Sequence, residues 1–119
     1  GYMRNSQINI MSAVNTASQN GPAIDVGQIL SASFQTTNGD VTATGTLKLQ
    51  FSNDLPIGPR NVFTPTNWTD IPSATSAVAS GVAPAIIINV MTFSYIRAVY
   101  TRASGGSSKI TVNMNVQSV

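Results

Sequence analysis

General acid–base chemistry draws on His, Glu, Asp, Lys, Tyr and Cys. This chain of 119 residues has no His, no Cys and no Glu. Its acidic residues are Asp25, Asp40, Asp54 and Asp70, each the lone carboxylate of its loop. Asp40 in "NGD" and Asp54 in "SND" stand where short polar side chains cap local backbone. A calcium site would need Asp54, Asp70 and loop carbonyls to converge, and no spaced acidic loop supports one. Zinc lacks its Cys and His ligands, and the many serines lack a base that would activate a nucleophile. The "SGGSS" run has neither the lysine nor the following helix of a phosphate-binding loop, so it reads as a hairpin turn. "NWT" at Asn67–Thr69 fits the glycosylation sequon, which matters only in a secretory pathway. The expectation is a protein that is not an enzyme and that uses no metal or cofactor.

Recognition is better provided for than catalysis. Trp68, Phe63, Tyr95 and Tyr100 offer rings that stack on the apolar faces of sugars. The alternative for Trp68 is to plug the core between two sheets, as a lone Trp does in many sandwiches. Arg97 faces away from Ile96, Ala98 and Tyr100, alongside Tyr95 and Val99, on a mixed face that suits either another subunit or solvent. The candidate interaction residues are Asn53, Asp54, Arg60, Phe63, Trp68, Tyr95 and Arg97. A glycan site would be built from Trp68, Arg60 and the Asn53–Asp54 turn.

The elements that must position these residues are strands. "SQINIMSAV" (6–14) alternates at Ile8 and Ile10, and "NTASQNGPA" reads as loop. "QILSASFQT" (28–36) puts Leu30, Ala32 and Phe34 on one face, before a turn signal at "TNGD" (37–40). "TLKLQFS" (46–52) sends Leu47, Leu49 and Phe51 inward. About fifteen residues rich in Pro, Asn and Thr follow, then "NWTDI" (67–71), a short strand stopped by Pro72. "SATSAVASGVA" (73–83) reads as strand plus loop rather than helix, given its β-branched residues and Gly81. "AIIINV" is apolar on both faces, which places it centrally in a sheet or under a partner. "FSYIRAVYTR" (93–102) and "KITVNMNVQ" (109–117) read as the clearest hairpin, the second arm turning Ile110, Val112, Met114 and Val116 inward. About eight short strands with one polar face each point to an all-β fold, a single antiparallel β-sandwich of jelly-roll or immunoglobulin-like type. A small closed barrel is the alternative. Residues 21–119 form the sandwich domain. Residues 1–20 form a segment with one short strand, expected to reach a neighbouring subunit or pair at a sheet edge.

Composition narrows the partners. Charged residues make up 8% of the chain, against roughly 25% in an ordinary domain, and Ser, Thr, Asn and Gln take their place. Arg4, Lys48, Arg60, Arg97, Arg102 and Lys109 are scattered, with no run that tracks phosphates, so nucleic acid is not expected as a partner. No apolar stretch is long enough to span a membrane as a helix, and no signal-peptide pattern is present. The Gly-Tyr before Met3 is expected to be a tag remnant, with Met3 the natural start. Without cysteine there is no disulfide framework, and the redox compartment cannot be inferred.

Three phrases carry a family likeness: "GTLKLQFSND" (45–54), "PTNWTDIPSA" (65–74) and "SYIRAVYTRASGGSSKITV" (94–112). They resemble a pattern in small structural proteins of tailed bacteriophages. There, a strand ending in Ser-Asn-Asp leads through a loop to a Trp-containing strand and Ile-Pro. A Tyr-x-Arg-Val strand, a Gly-rich turn and a last strand come later. The likeness covers the last two-thirds of the chain, and discoidin or galactose-binding sandwiches share a weaker form of it. This chain departs in having Ala98 after Arg97 and a longer, proline-bearing loop after Asp54. The resemblance implies a virion structural protein: a capsid decoration or head-fibre protein, or a tail component. It implies capsid or tail proteins as partners and self-association, a trimer by analogy, and carries over no catalytic residue.

Overall fold

The computed structural model describes residues 4–38, 42–79, 85–88 and 91–118. These residues form nine strands and no helix: β1 (Arg4–Val14), β2 (Gln19–Asn20), β3 (Ile24–Asp25), β4 (Ile29–Asn38), β5 (Thr44–Ser52), β6 (Thr69–Val78), β7 (Ala85–Ile88), β8 (Tyr95–Ser104) and β9 (Lys109–Ser118). One sheet has the order β1-β9-β4-β7, and the other β2-β8-β5-β6, with β3 also on β8. Both sheets are open, so the architecture is a sandwich and not a closed barrel.

The pairings follow a simple rule. β1 pairs with β9, β2 and β3 with β8, β4 with β7 and β5 with β6, all antiparallel. The chain is therefore one long ribbon doubled back on itself, and its successive arms alternate between the two sheets. That is the jelly-roll wrapping. The tip of the ribbon is the connection between β5 and β6, residues 53–68.

Alternation builds the core between the sheets. Leu47, Leu49, Ile96, Ala98 and Tyr100 enter it from one sheet, and Ala32, Phe34, Ile110, Val112, Met114 and Val116 from the other. Phe51 packs against this cluster, its ring stacked on Phe93 at 4.4 Å between centroids.

Four local readings are corrected by the tertiary arrangement. β8 and β9 are not a hairpin, because they lie in opposite sheets, and the "SGGSS" run between them is a crossover. "NWTDI" is not a strand stopped at Pro72: β6 begins at Thr69 and runs through the proline to Val78. It is an edge strand, where a missing N–H is tolerated. Its register shifts between Lys48 and Gln50 of β5, and Ser73 takes φ 64° there. This bulge keeps both Ile71 and Ala74 buried. "AIIINV" is not central, since β7 closes the edge of its sheet. Leu30 points outward, because a register shift between Ile29 and Ser31 turns it away from Ala32 and Phe34. The N-terminal segment runs as β1 along β9 at the edge of its sheet, and the 15–23 stretch contributes β2. Parts of the turn at 37–40, of "SATSAVASGVA" and of "AIIINV" lie outside the described residues.

Candidate interaction surface at the ribbon tip

The tip is rooted by one carboxylate. Asp54 accepts from the backbone N–H groups of Thr66 at 2.8 Å and Asn67 at 3.1 Å, and from Asn67 Nδ2 at 2.9 Å. Its own N–H donates to Ser52 Oγ at 3.1 Å. These bonds tie the outgoing and returning arms together. Beyond them, Val62 and Phe63 N–H groups turn back onto the Pro59 carbonyl, and Gly58 takes φ 82° to start the turn.

A second anchor holds the far side. Arg60 grips Asp25 of β3 in a two-pronged pair, Nε to Oδ2 at 2.7 Å and Nη2 to Oδ1 at 2.9 Å. Its guanidinium lies 5.1 Å from the centre of the Tyr95 ring, and the Phe63 ring lies 5.8 Å from the same centre. The Tyr95 hydroxyl donates to the Arg60 carbonyl at 3.3 Å, and Asn53 Oδ1 accepts from Ser94 N–H at 3.3 Å. Tyr95 is thus on the outer side of its sheet yet only 2% exposed, because the tip covers it. It is a bracing residue rather than a surface one.

The held loop displays apolar side chains. Leu55, Ile57 and Val62 are 82%, 87% and 69% exposed, the most exposed large aliphatics of the described residues. Sequence reasoning missed them, and it missed Asp25 as the partner of Arg60. The available signal was three large aliphatics inside a Pro-rich loop that had no strand to bury them.

Trp68 and Arg97 form a separate feature on the outer face of the β5–β8 sheet. The guanidinium of Arg97 sits 4.4 Å from the Trp68 ring centre, and its Nε donates to Gln50 Oε1 at 2.8 Å. Gln50 Nε2 donates to Asp70 at 2.9 Å, and Lys48 pairs with Asp70 at 3.2 Å. Trp68 is half-buried and lies outside the core cluster. Of the seven candidates, Asn53, Asp54, Arg60, Phe63 and Tyr95 meet at the tip, while Trp68 and Arg97 meet on the sheet face. Of the residues grouped for a glycan site, Arg60 is paired with Asp25, Asp54 holds the loop backbone and Asn67, and Trp68 lies against Arg97. Among the described residues no group of three or more metal-ligating side chains gathers.

The carboxylates are expected to make the molecule acid-sensitive. Asp25 is held below the ordinary aspartate value of 3.8 chiefly by its bond to Arg60. Asp54 is lowered chiefly by Asn67 and the loop N–H groups, and Asp70 by Gln50 and Lys48. A depressed folded-state value means stability that is present above the unfolded value and lost as pH falls through the folded one. The melting temperature is expected to be level from pH 7 to about 5 and to fall below about 4. Asp54→Asn should make that fall shallower in melts followed by circular dichroism.

The strand order defines this chain as a jelly-roll β-sandwich, distinguished by a braced apolar tip. No family model matches the chain, and no curated protein matches it in sequence. Among solved structures, the crystal structure of the SPBc2 prophage-derived protein YomS is similar, with a TM-score of 0.65. The match covers 99% of this chain and 96% of that one at 11% identity. At such identity the shared property is the fold.

Proposed function

We propose that the chain is a non-enzymatic structural protein of a phage virion that docks on a capsid or tail protein through its ribbon tip and associates with copies of itself. The observation that carries the docking role is the exposure of Leu55, Ile57 and Val62 on a loop held at both ends. Large aliphatics that fold into water gain nothing for the monomer, whereas insertion into an apolar recess contributes about 25 cal/mol per Å² removed from water. The brace matters equally. A loop already fixed by Asp54 and Arg60 loses little conformational freedom on binding, so more of the contact energy becomes affinity. Support for a virion setting comes from the three phrases resembling phage structural proteins and from the fold shared with a prophage-derived protein.

The test is co-sedimentation of the purified chain with virions of its source phage. A Leu55→Ser, Ile57→Ser, Val62→Ser variant is expected to keep the wild-type melt and lose at least tenfold in binding. Equal binding by this variant would refute the tip as the docking element. Failure of the wild-type chain to bind any virion component would refute the setting.

A further inference from the structure

Charge is divided unequally between the two sheets. Asp25, Lys48, Asp70, Arg97 and Arg102 lie on the strands of the β2-β8-β5-β6 sheet, and Asp54 and Arg60 on its tip. The other sheet carries only Arg4, opposite Ser118, and Lys109, opposite Val14. These two lie at opposite ends of β9. Between them the outward residues of β9 are Thr111, Asn113, Asn115 and Gln117, uncharged hydroxyl and amide, with Val14 and Leu30 exposed on the neighbouring strands. The side chains there are already ordered across strands: Gln7 donates to Asn115 at 3.1 Å, Asn9 to Asn113 at 3.1 Å, and Ser31 to Gln117 at 3.3 Å.

We infer that the outer face of the β1-β9-β4-β7 sheet is the self-association surface, meeting the same face of a second copy across a two-fold axis. This deepens the self-association in the function proposed above and rests on that part of it. Three considerations select a second copy. A two-fold contact sets a patch against itself, so charge near its centre would repel its own image, and the two cations of this sheet lie at the strand ends, away from the centre. An amide carries both donors and acceptors, so an amide face is complementary to its own copy, which a face of Lys or Asp is not. Three strands of about ten residues and one of four, about 4.8 Å apart and rising roughly 3.3 Å per residue, give a face of about 540 Å². Two such faces bury about 1,100 Å², above the roughly 1,000 Å² that a specific interface must clear. Cross-strand bonds also hold the amides in place before contact, which lowers the ordering cost of association.

The centre of the face falls between β9 and β4, where Asn113 stands opposite Gln35. The experiment is the mass of the full chain by sedimentation equilibrium, for wild type, Asn113→Lys, Asn113→Asp, and an equimolar mixture of the two variants. Wild type is expected at an even multiple of the chain mass at micromolar concentration. Each variant alone should dissociate at least tenfold more readily, and the mixture should recover association, because Lys then faces Asp across the axis. Thr75→Lys on the opposite sheet should leave the mass unchanged. A monomeric or trimeric wild type, an unaffected Asn113→Lys, or a mixture that stays dissociated would each overturn the inference. Virion binding through the tip is read separately, so a monomer that still co-sediments would defeat this inference and leave the docking role standing.

Discussion

Gly106→Ala is expected to lower the melting temperature by more than 10 °C. The residue lies in the crossover from β8 to β9 with φ 105°, outside the region that an L side chain adopts at ordinary cost. A methyl group there would lie 2.5 Å from the Asn15 carbonyl oxygen and 2.8 Å from its Oδ1. Neither atom is free to retreat. Asn15 is fully buried and acts as a junction: its N–H donates to Ser108 O at 2.8 Å, and its Oδ1 accepts from Ser108 N–H at 2.9 Å. Its Nδ2 reaches Asn38 at 2.8 Å, and its carbonyl accepts from the Tyr100 hydroxyl at 3.2 Å. Backbone strain and overpacking, each toward the upper part of about 1–3 kcal/mol because neither Asn15 atom can move, give a combined cost of about 3–6 kcal/mol. For a domain of this size, each kcal/mol corresponds to roughly 4 °C. Thermal melts by calorimetry decide it. A midpoint within about 3 °C of wild type would show that the crossover tolerates a side chain and that its glycines are incidental.

The second large effect concerns the brace under the tip. Tyr95→Ala is expected to cost about 3 kcal/mol and to free the loop, whereas Tyr95→Phe should cost about 1 kcal/mol and leave it docked. The difference arises because the ring does most of the holding. It is buried against Phe63 and under the Arg60 guanidinium, while the hydroxyl contributes one bond, to the Arg60 carbonyl. The Arg60–Asp25 pair cannot substitute, since both partners are well exposed and such pairs are worth at most about 1 kcal/mol. Trypsin provides the readout, because Arg60 lies within the tip. Cleavage after Arg60 should be slow in wild type and Tyr95→Phe, and at least tenfold faster in Tyr95→Ala. Equal rates in all three would mean that Tyr95 does not hold the tip.

Much of the sandwich was legible before any coordinates. Leu47, Leu49, Ile110, Val112, Met114 and Val116 alternate with polar residues and all turn inward, because a period of two leaves a half-buried strand no other choice. Asp54 reads as a local cap, yet its carboxylate holds backbone twelve and thirteen residues on; the alternation and the proline-rich excursion between Ser52 and Trp68 were legible. Those are near-neighbour effects, and near neighbours are what a sequence displays.

The failures have a common cause. Whether two successive strands pair or cross to opposite sheets depends on distant contacts, so "SGGSS" gave no sign that Gly106 must fit against Asn15. Pro72 looked like a stop because its missing N–H would break a central ladder, but β6 is an edge, and edges are assigned by the whole topology. Tyr95 and Arg97 share a strand face by parity, yet one is sealed under the tip and the other lies on Trp68, since a loop thirty residues away covers only the first. The sequence by itself determined most of the strands, their inward faces and a surface poor in charge. Only the tertiary structure decided that the ribbon doubles back, that its tip is braced by Asp25 and Tyr95, and that the uncharged strands share one face. Alternation is local, whereas pairing partners are chosen among all strands at once.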